Sequence, residues 1–407
     1  MKVLMIVHIG ETLGHLVRGL SIADALTSLG IEVEIATSNK GDWLISQWKH
    51  HYVHHKIRWD FSHNSCDSEG PTPAFLRHVA DSNSDLLHLL DKNKSDLIIS
   101  IPGIVTTQLA RHLGIRHFSI LHGPYLSPIV YLKNSSETEL LVLAFARKIF
   151  YGNVVNSIFS HLADTFGFTK LTYKEYLHTE EIFVPQPGLS LPNLPNLHQV
   201  RFIRASFGPP FDLKGYNNLR KGCYITFGSG NPCDITRIIE LASKVFPLVI
   251  VSTGKLNLKI TSERIIARPF IASSSLVGRV GAVISHGGIG TVGTFAEFGT
   301  PQLIIPTELD QATMAVHAAR MVIAKYCGLN SWAKRNKLGR RLPDFSEKEL
   351  LDSLDILHHT PIDSKGIISS GSSDIASMID RLIRHNNFEK RVLRGQESYE
   401  ESYGIRS

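Results

Sequence analysis

Near its start the chain changes between two patterns of apolar residues, one typical of a buried strand and one typical of a helix. A short apolar run at residues 2–8 predicts a buried strand. Leucine and alanine then recur at helical spacing between 16 and 29, Gly30 ends that helix, and residues 31–37 return to a strand pattern. A strand at 96–100 is again followed by a helical pattern. Strands that alternate with helices predict an α/β protein with a parallel sheet wound in the right-handed sense.

A second series of alternating elements follows a proline-rich stretch. Six prolines lie between Pro185 and Pro210 with little periodicity, and proline removes strand donors and is excluded from helix interiors. Beyond it the pattern predicts a strand at 224–227, a helix at about 234–245 and a strand at 248–252. The proline-rich stretch is therefore predicted to connect two α/β lobes.

The length of the chain agrees with two lobes. At 407 residues it exceeds the usual size of a single hydrophobic core. We expect an N-terminal domain over 1–205 and a C-terminal domain over 206–385, followed by a polar tail over 386–407. The last helix of the second domain is predicted at 373–384.

Composition excludes several classes of protein. Hydrophobic residues make up 43% and charged residues 20%, as in an ordinary globular protein, and the net charge of +6 is too small to indicate nucleic-acid binding. Cys66, Cys223, Cys233 and Cys327 form no C-x-x-C pair, which is typical of a reducing compartment and predicts no zinc site. The first apolar run is too short for a signal peptide, and no run of 18 apolar residues follows. We expect a cytoplasmic protein with no transmembrane segment.

A glycine-rich turn is the strongest chemical signal in the chain. A buried strand at 282–284 leads to His286, and a helix is predicted to begin near Thr291. Three glycines lie between them: Gly287, Gly288 and Gly290. Such a turn presents unpaired backbone N–H groups at the positive N-terminus of a helix, which favours a phosphate-like anion. Glycine also allows the backbone to approach a ligand closely.

A second strand should bring two polar side chains to the same place. The helix after the glycines is predicted to end at Gly299, and an apolar strand at 302–305 leads to Pro306 and then to Asp310 and Gln311. Because the carboxyl ends of parallel strands meet at one sheet edge, these side chains are expected near the glycine turn.

The segment 286–311 resembles a known signature. Its pattern, H-G-G-x-G-T followed by G-x-P, P and D-Q, is similar to the donor-binding motif of nucleotide-sugar-dependent glycosyltransferases of the GT-B fold, nearest to the family 1 enzymes that decorate natural products. The resemblance implies two Rossmann-like domains that face each other across a cleft. It also implies a nucleoside-diphosphate sugar as co-substrate, with its diphosphate bound by His286, the three glycines and Thr291.

The resemblance assigns further donor contacts in the second domain. Gly228 and Ser229 resemble the family's second phosphate-side loop, with a plain strand-to-helix turn as the alternative. Asp310 and Gln311 resemble the pair that binds sugar hydroxyls. The alternative for Asp310 is a helix N-cap, a role that would not account for Gln311.

The nucleobase position is less typical of the family. Phe270 and Ile271 occupy the place where family members hold the base, with a buried strand residue as the alternative for Phe270. Ala272 stands where a proline is usual, and Thr294 stands where plant members use a glutamate for the ribose hydroxyls. The choice between a UDP- and a dTDP-sugar therefore stays open.

The first domain contains the expected catalytic base. His15 follows the first strand in a Gly14-His15 pair at a helix start, as the base histidine of family 1 does, and a neutral imidazole can take a proton from a hydroxyl. The stretch 99–103 lacks the aspartate that orients this histidine in many members. Either Glu11 replaces it or His15 serves only for binding. Gly14 and Arg18 also resemble the G-H-x-x-R opening of related enzymes, in which Arg18 would point toward the donor phosphate. The alternative is that Arg18 is simply an exposed residue on the surface of its helix.

Together these features predict an inverting glycosyltransferase that uses a UDP- or dTDP-sugar. The sequence does not identify the acceptor: a small polar natural product, a nucleoside and a lipid-linked sugar all stay open. His122 is a further candidate contact with the acceptor or the base. Because the sequence has no D-x-D pair at a strand end, no metal cofactor is expected. The alternatives are a nucleotide-sugar hydrolase or epimerase and a catalytically silent partner that binds a nucleotide. The sequence leaves the oligomeric state open.

Overall fold

A computed structural model gives the structure of most of the chain. The described residues are 1–9, 13–59, 71–121, 136–147, 154–186, 194–203, 211–212, 219–228, 234–256, 262–335, 342–362 and 371–384. Both predicted domain boundaries, at 205/206 and 385/386, and the predicted tail lie outside these ranges.

The first lobe is built on a parallel sheet, as the alternating pattern predicts. Its described strands are β1 (Lys2–Val7), β2 (Glu32–Thr37), β3 (Val53–Lys56), β4 (Leu97–Ile101), β5 (Arg116–Ile120), β6 (Glu181–Val184) and β7 (Leu197–Gln199). They lie in the order β3-β2-β1-β4-β5-β6-β7. The central strand β1 is buried from Val3 to Val7, because a parallel sheet is covered on both faces.

Helices cover both faces of this sheet. They are α1 (Gly14–Ser28), α2 (Asp42–Ser46), α3 (Pro73–Lys92), α4 (Thr107–His112), α5 (Glu137–Arg147), α6 (Val155–Phe166) and α7 (Tyr173–Thr179). Two apolar clusters fill the spaces between the helices and the two sheet faces.

The second lobe repeats the design. Its described strands are β8 (Cys223–Thr226), β9 (Val249–Ser252), β10 (Ile265–Arg268), β11 (Ala282–Ser285), β12 (Gln302–Ile304) and β13 (Lys325–Tyr326), parallel and in the order β10-β9-β8-β11-β12-β13. The helices are α8 (Thr236–Val245), α9 (Ile289–Ala296), α10 (Leu309–Arg320), α11 (Leu329–Arg335), α12 (Glu347–His359) and α13 (Gly371–Arg384). The α/β prediction is thus confirmed in both lobes.

Each sheet has a point where the direction of winding reverses. In the first sheet β1 pairs with β2 on one side and with β4 on the other, and in the second β8 pairs with β9 and β11. Ligands of open parallel sheets bind outside the carboxyl ends of the strands at such points. The turns after β1, β8 and β11 are therefore the natural places for a site.

Two helices connect the lobes. The helix α5 of the first lobe packs on α10 and α11 of the second, where Glu139 accepts hydrogen bonds from Arg320 Nη2 at 3.4 Å and from Tyr326 Oη at 3.2 Å. The last helix, α13, packs on α1, and the Arg201–Asp374 ion pair, at 2.6 Å, fixes its first turn. Among the helices of the described ranges, none is long and apolar enough to cross a membrane.

Candidate functional site

A cleft of about 240 Å³ lies between the carboxyl ends of the two sheets. Both lobes contribute to its walls. The first lobe provides Leu13, Gly14, His15, Val17, Arg18 and Trp43. The second lobe provides Tyr224, Thr226, Gly228, Ser252, Pro269, Phe270, Ile271, Ser273, His286, Gly288, Ile289, Gly290, Thr291, Glu308, Asp310 and Gln311. The cleft therefore brings together most of the residues that the sequence singled out.

The glycine turn after β11 has the geometry that only glycine tolerates. Gly287 has φ +91°, and a Cβ there would lie 2.7 Å from Ile304 Cγ2. At Gly288 a Cβ would lie 2.8 Å from Nε2 of His286, so this glycine leaves room for the imidazole ring. The two glycines allow the chain to turn tightly from β11 into α9 with the buried His286 packed inside the turn.

The helix α9 begins earlier than the sequence predicts. It starts at Ile289, and Gly288 is its N-cap residue, which makes no side-chain cap bond. The prediction of a start near Thr291 is wrong by two residues, because glycine at position 290 is compatible with a first helical turn here despite its low propensity. Gly290 and Thr291 therefore lie in that first turn, where backbone N–H groups have no intrahelical acceptor. This end of the helix faces the cleft and favours an anion.

The loop after β8 forms the neighbouring wall. Gly228 has φ +83°, and its N–H points to Thr226 Oγ1 at 3.5 Å. The main-chain oxygen of Thr226 lies 3.5 Å from Nδ1 of His286, so the loops after β8 and β11 contact each other here. Ser229, the other predicted residue of this loop, lies outside the described residues.

The local contacts of Asp310 and Gln311 differ from the N-cap alternative that the sequence offered. Glu308, and not Asp310, is the N-cap residue of α10, and Asp310 lies in the first turn of this helix. The N-cap alternative for Asp310 is therefore wrong. Oε1 of Gln311 accepts from the backbone N–H of Thr307 at 2.9 Å and from its hydroxyl at 2.8 Å. The buried amide of Gln311 thus holds the turn before α10, a use that the sequence did not reveal.

The Phe270-Ile271 segment forms the far end of the second-lobe wall. The side chain of Phe270 is 46% exposed, so the alternative of a buried strand residue is wrong. Ile271 is buried, and its carbonyl accepts a hydrogen bond from Tyr224 Oη at 3.3 Å. The hydroxyls of Ser252 and Ser273 lie near the same Tyr224 hydroxyl, which gives this end of the cleft a polar edge beside an aromatic face.

His15 faces this wall from the first lobe. Its Nδ1 lies 3.0 Å from the main-chain oxygen of His8. Since a carbonyl only accepts, Nδ1 carries the proton and Nε2 of the neutral ring carries the lone pair. A main-chain carbonyl thus orients this ring, where the family pattern has an aspartate. Glu11, the other candidate, lies outside the described residues.

Arg18 gives the first-lobe wall a buried positive charge. Its Nε donates to Gly14 O at 3.1 Å, and the side chain is buried at the cleft. The alternative of an exposed surface residue is therefore wrong. Burial, and then the charge of Arg18, lower the pKa of His15 to about 3, although the hydrogen bond to His8 acts in the opposite direction. His15 is therefore neutral at ordinary pH.

Other predicted residues lie elsewhere. The end of β4, where an aspartate is missing, holds the buried Ser100, whose hydroxyl pairs with His117 Nε2 at 2.6 Å. Nδ1 of His117 in turn lies 2.9 Å from the buried Glu180, so this network is internal to the first lobe. His122 lies outside the described residues.

Sequence reasoning missed Trp43 and Glu308 as cleft residues. Trp43 follows the predicted second strand by a few residues, so its place at a strand end was an available signal. In the described part of the chain, no three histidine, cysteine or carboxylate side chains converge as for a metal ion. The absence of a metal cofactor stays a prediction.

Comparison with known proteins supports the same architecture. No protein-family model matches the chain. A vancomycin aglycone glucosyltransferase from Amycolatopsis orientalis is 35% identical over 102 residues, which is 24% of this chain and 25% of that protein. The chain thus matches about a quarter of the length of this curated relative.

Solved structures match nearly the whole chain. The spinosyn forosaminyltransferase SpnP is similar with a TM-score of 0.67 and 18% identity, over 94% of this chain and 99% of that one. The glycosyltransferase VinC, solved in complex with dTDP, is similar with a TM-score of 0.59 and 18% identity, over 97% of this chain and all 100% of that one. The chain therefore has the GT-B fold, as its resemblance implied.

Proposed function

We propose that the protein is an inverting glycosyltransferase, which moves a sugar from a UDP- or dTDP-sugar to a hydroxyl or similar nucleophile of a small-molecule or lipid-linked acceptor. One observation carries the proposal. The cleft sets His15 of the first lobe against the glycine turn and helix start of the second. A base on one wall and an anion site on the other suit a displacement at the carbon between them.

The second lobe is proposed to hold the donor diphosphate. The N-terminus of α9 presents its backbone N–H groups to the cleft beside His286. As the bond from the anomeric carbon to the diphosphate breaks, the electron pair leaves with the nucleoside diphosphate. Donors fixed where this negative charge develops stabilise the transition state, because they need no reorganisation during the reaction.

The first lobe is proposed to accept the acceptor's proton. The acceptor oxygen forms a bond to the anomeric carbon from the face opposite the diphosphate, and its proton moves to Nε2 of His15. Burial, and then the charge of Arg18, lower the pKa of His15, which makes it a weak base in the absence of a ligand. A diphosphate near Arg18 would offset that charge and raise the basicity of His15. Donor binding is thus expected to precede efficient deprotonation.

Asp310 is proposed to contact the donor sugar. Asp310 lies at the cleft in the first turn of α10, where its carboxylate suits sugar hydroxyls, and Gln311 supports the turn beside it.

The two described cysteines, Cys223 and Cys327, are free and buried, which fits a cytoplasmic protein. Similarity to enzymes of antibiotic glycosylation suggests an acceptor from natural-product or glycoconjugate biosynthesis.

A donor and acceptor screen tests the function. The protein is incubated with UDP- and dTDP-sugars and a panel of acceptors, and products are identified by mass spectrometry and their anomeric configuration by NMR. We expect an inverted glycoside, and His286→Ala should reduce turnover by about 10²-fold or more. The control is His51→Gln, since His51 is an exposed residue away from the cleft.

The alternatives give different results. Full-rate release of nucleoside diphosphate without any acceptor would support a hydrolase or epimerase. Nucleotide binding with no turnover on the whole panel would support a silent partner. A product with retained configuration contradicts direct displacement.

A further inference from the structure

Two aromatic side chains are exposed on opposite walls of the cleft. Among the large hydrophobic residues whose side chains the structure describes, the exposed aromatic ones are Trp43, at 44%, and Phe270, at 46%. Both line the same cleft, Trp43 from the first lobe and Phe270 from the second. Large aromatic surfaces normally lie in cores or interfaces, so two of them at one cleft indicate a flat ligand.

The packing of the lobes places these two residues at the same end of the cleft. The helix α5, which follows β5, packs on α10 and α11, which follow β12 and β13. The β5 side of the first sheet therefore faces the β12–β13 side of the second. With the strand orders β3-β2-β1-β4-β5 and β10-β9-β8-β11-β12, we expect the β2 side to face the β9–β10 side. Trp43 follows β2 and Phe270 follows β10.

The surroundings of Phe270 suit the edge of a nucleobase. The hydroxyls of Ser252 and Ser273 line the cleft here, beside the main-chain segment at Ile271. Hydroxyls and main-chain groups both donate and accept hydrogen bonds, as the polar edge of a pyrimidine requires. The glycine turn at the centre of the sheet follows β11, two strands from β9 and three from β10, which is a suitable place for the diphosphate of the same ligand.

We infer that Trp43 and Phe270 are the two walls of the nucleobase subsite, so that the base of the donor is stacked between an aromatic residue from each lobe. The inference rests on the proposed function, because it takes a nucleoside diphosphate as the ligand. Its new element is that a residue of the first lobe contributes to donor affinity. Binding of the base then draws the two lobes together, and the diphosphate alone does not use Trp43.

Nucleotide binding to the whole chain tests the inference. Affinities for dTDP, UDP and inorganic pyrophosphate are measured by calorimetry for the wild type, Trp43→Ala, Trp43→Phe and Phe270→Ala. Since base–aromatic stacking has a typical strength equivalent to about 5- to 150-fold in affinity, both alanine variants should weaken dTDP and UDP by that range. Pyrophosphate affinity should not change, and Trp43→Phe should retain most of the nucleotide affinity.

Fluorescence gives an independent readout. A base stacked on Trp43 should quench its emission, so the quench on adding dTDP is expected to disappear in Trp43→Phe. The matched control is Trp48→Phe, because Trp48 is buried and donates to Asp24 at 3.1 Å, away from the cleft. This variant should retain the quench.

The outcomes separate this inference from the proposed function. Unchanged dTDP affinity in Trp43→Ala overturns the inference, and so does an equal loss of pyrophosphate and dTDP affinity. If the wild type binds dTDP and His286→Ala weakens it, the donor site stands whatever Trp43 does. If the wild type binds neither dTDP nor UDP, both proposals fail.

Discussion

The two walls of the cleft are built by different means. In the second lobe the part of the wall at the glycine turn is main chain, with the left-handed turn at Gly287 and the first turn of α9. In the first lobe the wall consists of side chains that project from α1 and α2, namely His15, Arg18 and Trp43. A main-chain wall binds what every donor shares, a diphosphate, whereas side chains can change with the acceptor.

This difference also separates the expected roles of the two walls. The main-chain wall lies at the positive end of a helix, and removing one side chain leaves most of its donors in place. The first-lobe wall depends on single side chains, so one substitution there can abolish its chemistry.

The largest effect is expected at His15. His15→Gln can still donate to the His8 carbonyl but cannot take a proton, so kcat should fall by about 10²- to 10⁴-fold. The affinity for dTDP should stay unchanged, because the second lobe holds the diphosphate. Kinetics with saturating donor and calorimetry with dTDP measure the two quantities. His51→Gln, at an exposed position, should match the wild type in both.

A different result at His15 would assign it another role. If kcat stays near the wild-type value in His15→Gln while acceptor KM rises, His15 serves only for binding, which is the second of the two roles that the sequence allowed.

The same contrast explains what the sequence could predict. The sheets, α1 and the glycine turn follow from local patterns, since glycine at a fixed place after a strand has few uses other than a tight turn. The role of Gln311 could not be predicted, because its partners in the Thr307 turn are visible only after folding. The partner of His15 was missed for a related reason: a main-chain carbonyl has no sequence signal.

Long-range packing set the limits of prediction for Trp43. Its position after a strand could be predicted from the sequence, but its place opposite Phe270 depends on the contact of α5 with α10 and α11. Such contacts join segments that are far apart in the chain, since Glu139 and Arg320 are 181 residues apart, and no periodic pattern encodes them. The ligand roles of these residues, unlike their positions, stay predictions.

A smaller effect is expected from a pair of glycine substitutions. Gly287→Ala introduces a left-handed alanine and a contact of 2.7 Å with Ile304, so it should lower the free energy of unfolding by about 3 kcal/mol. It should also weaken dTDP binding, since the turn positions α9. The matched control is Gly114→Ala, with φ +63° and nothing within 4 Å of its Cβ. This control should cost only about 1–2 kcal/mol and leave dTDP affinity unchanged.

Urea unfolding and calorimetry check this pair. Equal losses of stability, or unchanged dTDP affinity in Gly287→Ala, would mean that the turn tolerates a side chain and that the main-chain wall is less constrained than the structure indicates.

The smallest effect concerns acid stability, and it compares one buried histidine from each lobe. Burial lowers the pKa of His8 to about 3, with a smaller contribution in the same direction from the neighbouring His15. Burial, and then the charge of Arg320, lower the pKa of His317 to about 4. Both residues stay neutral in the native protein as the pH falls from 7 to 5, whereas the unfolded chain takes up protons near its ordinary pKa of 6.5. Protonation of each histidine in the unfolded chain should therefore lower the free energy of unfolding by about 2 kcal/mol between pH 7 and pH 5.

Urea unfolding at pH 7 and pH 5 measures this loss. His317→Gln should reduce the difference between the two pH values by about 2 kcal/mol, whatever its stability at pH 7. The control is Val316→Ala, at a buried position on the same helix, which should lower stability equally at both pH values. An unchanged pH difference in His317→Gln would show that His317 is protonated in the native second lobe, and the same comparison with His8→Gln would decide the question for the first.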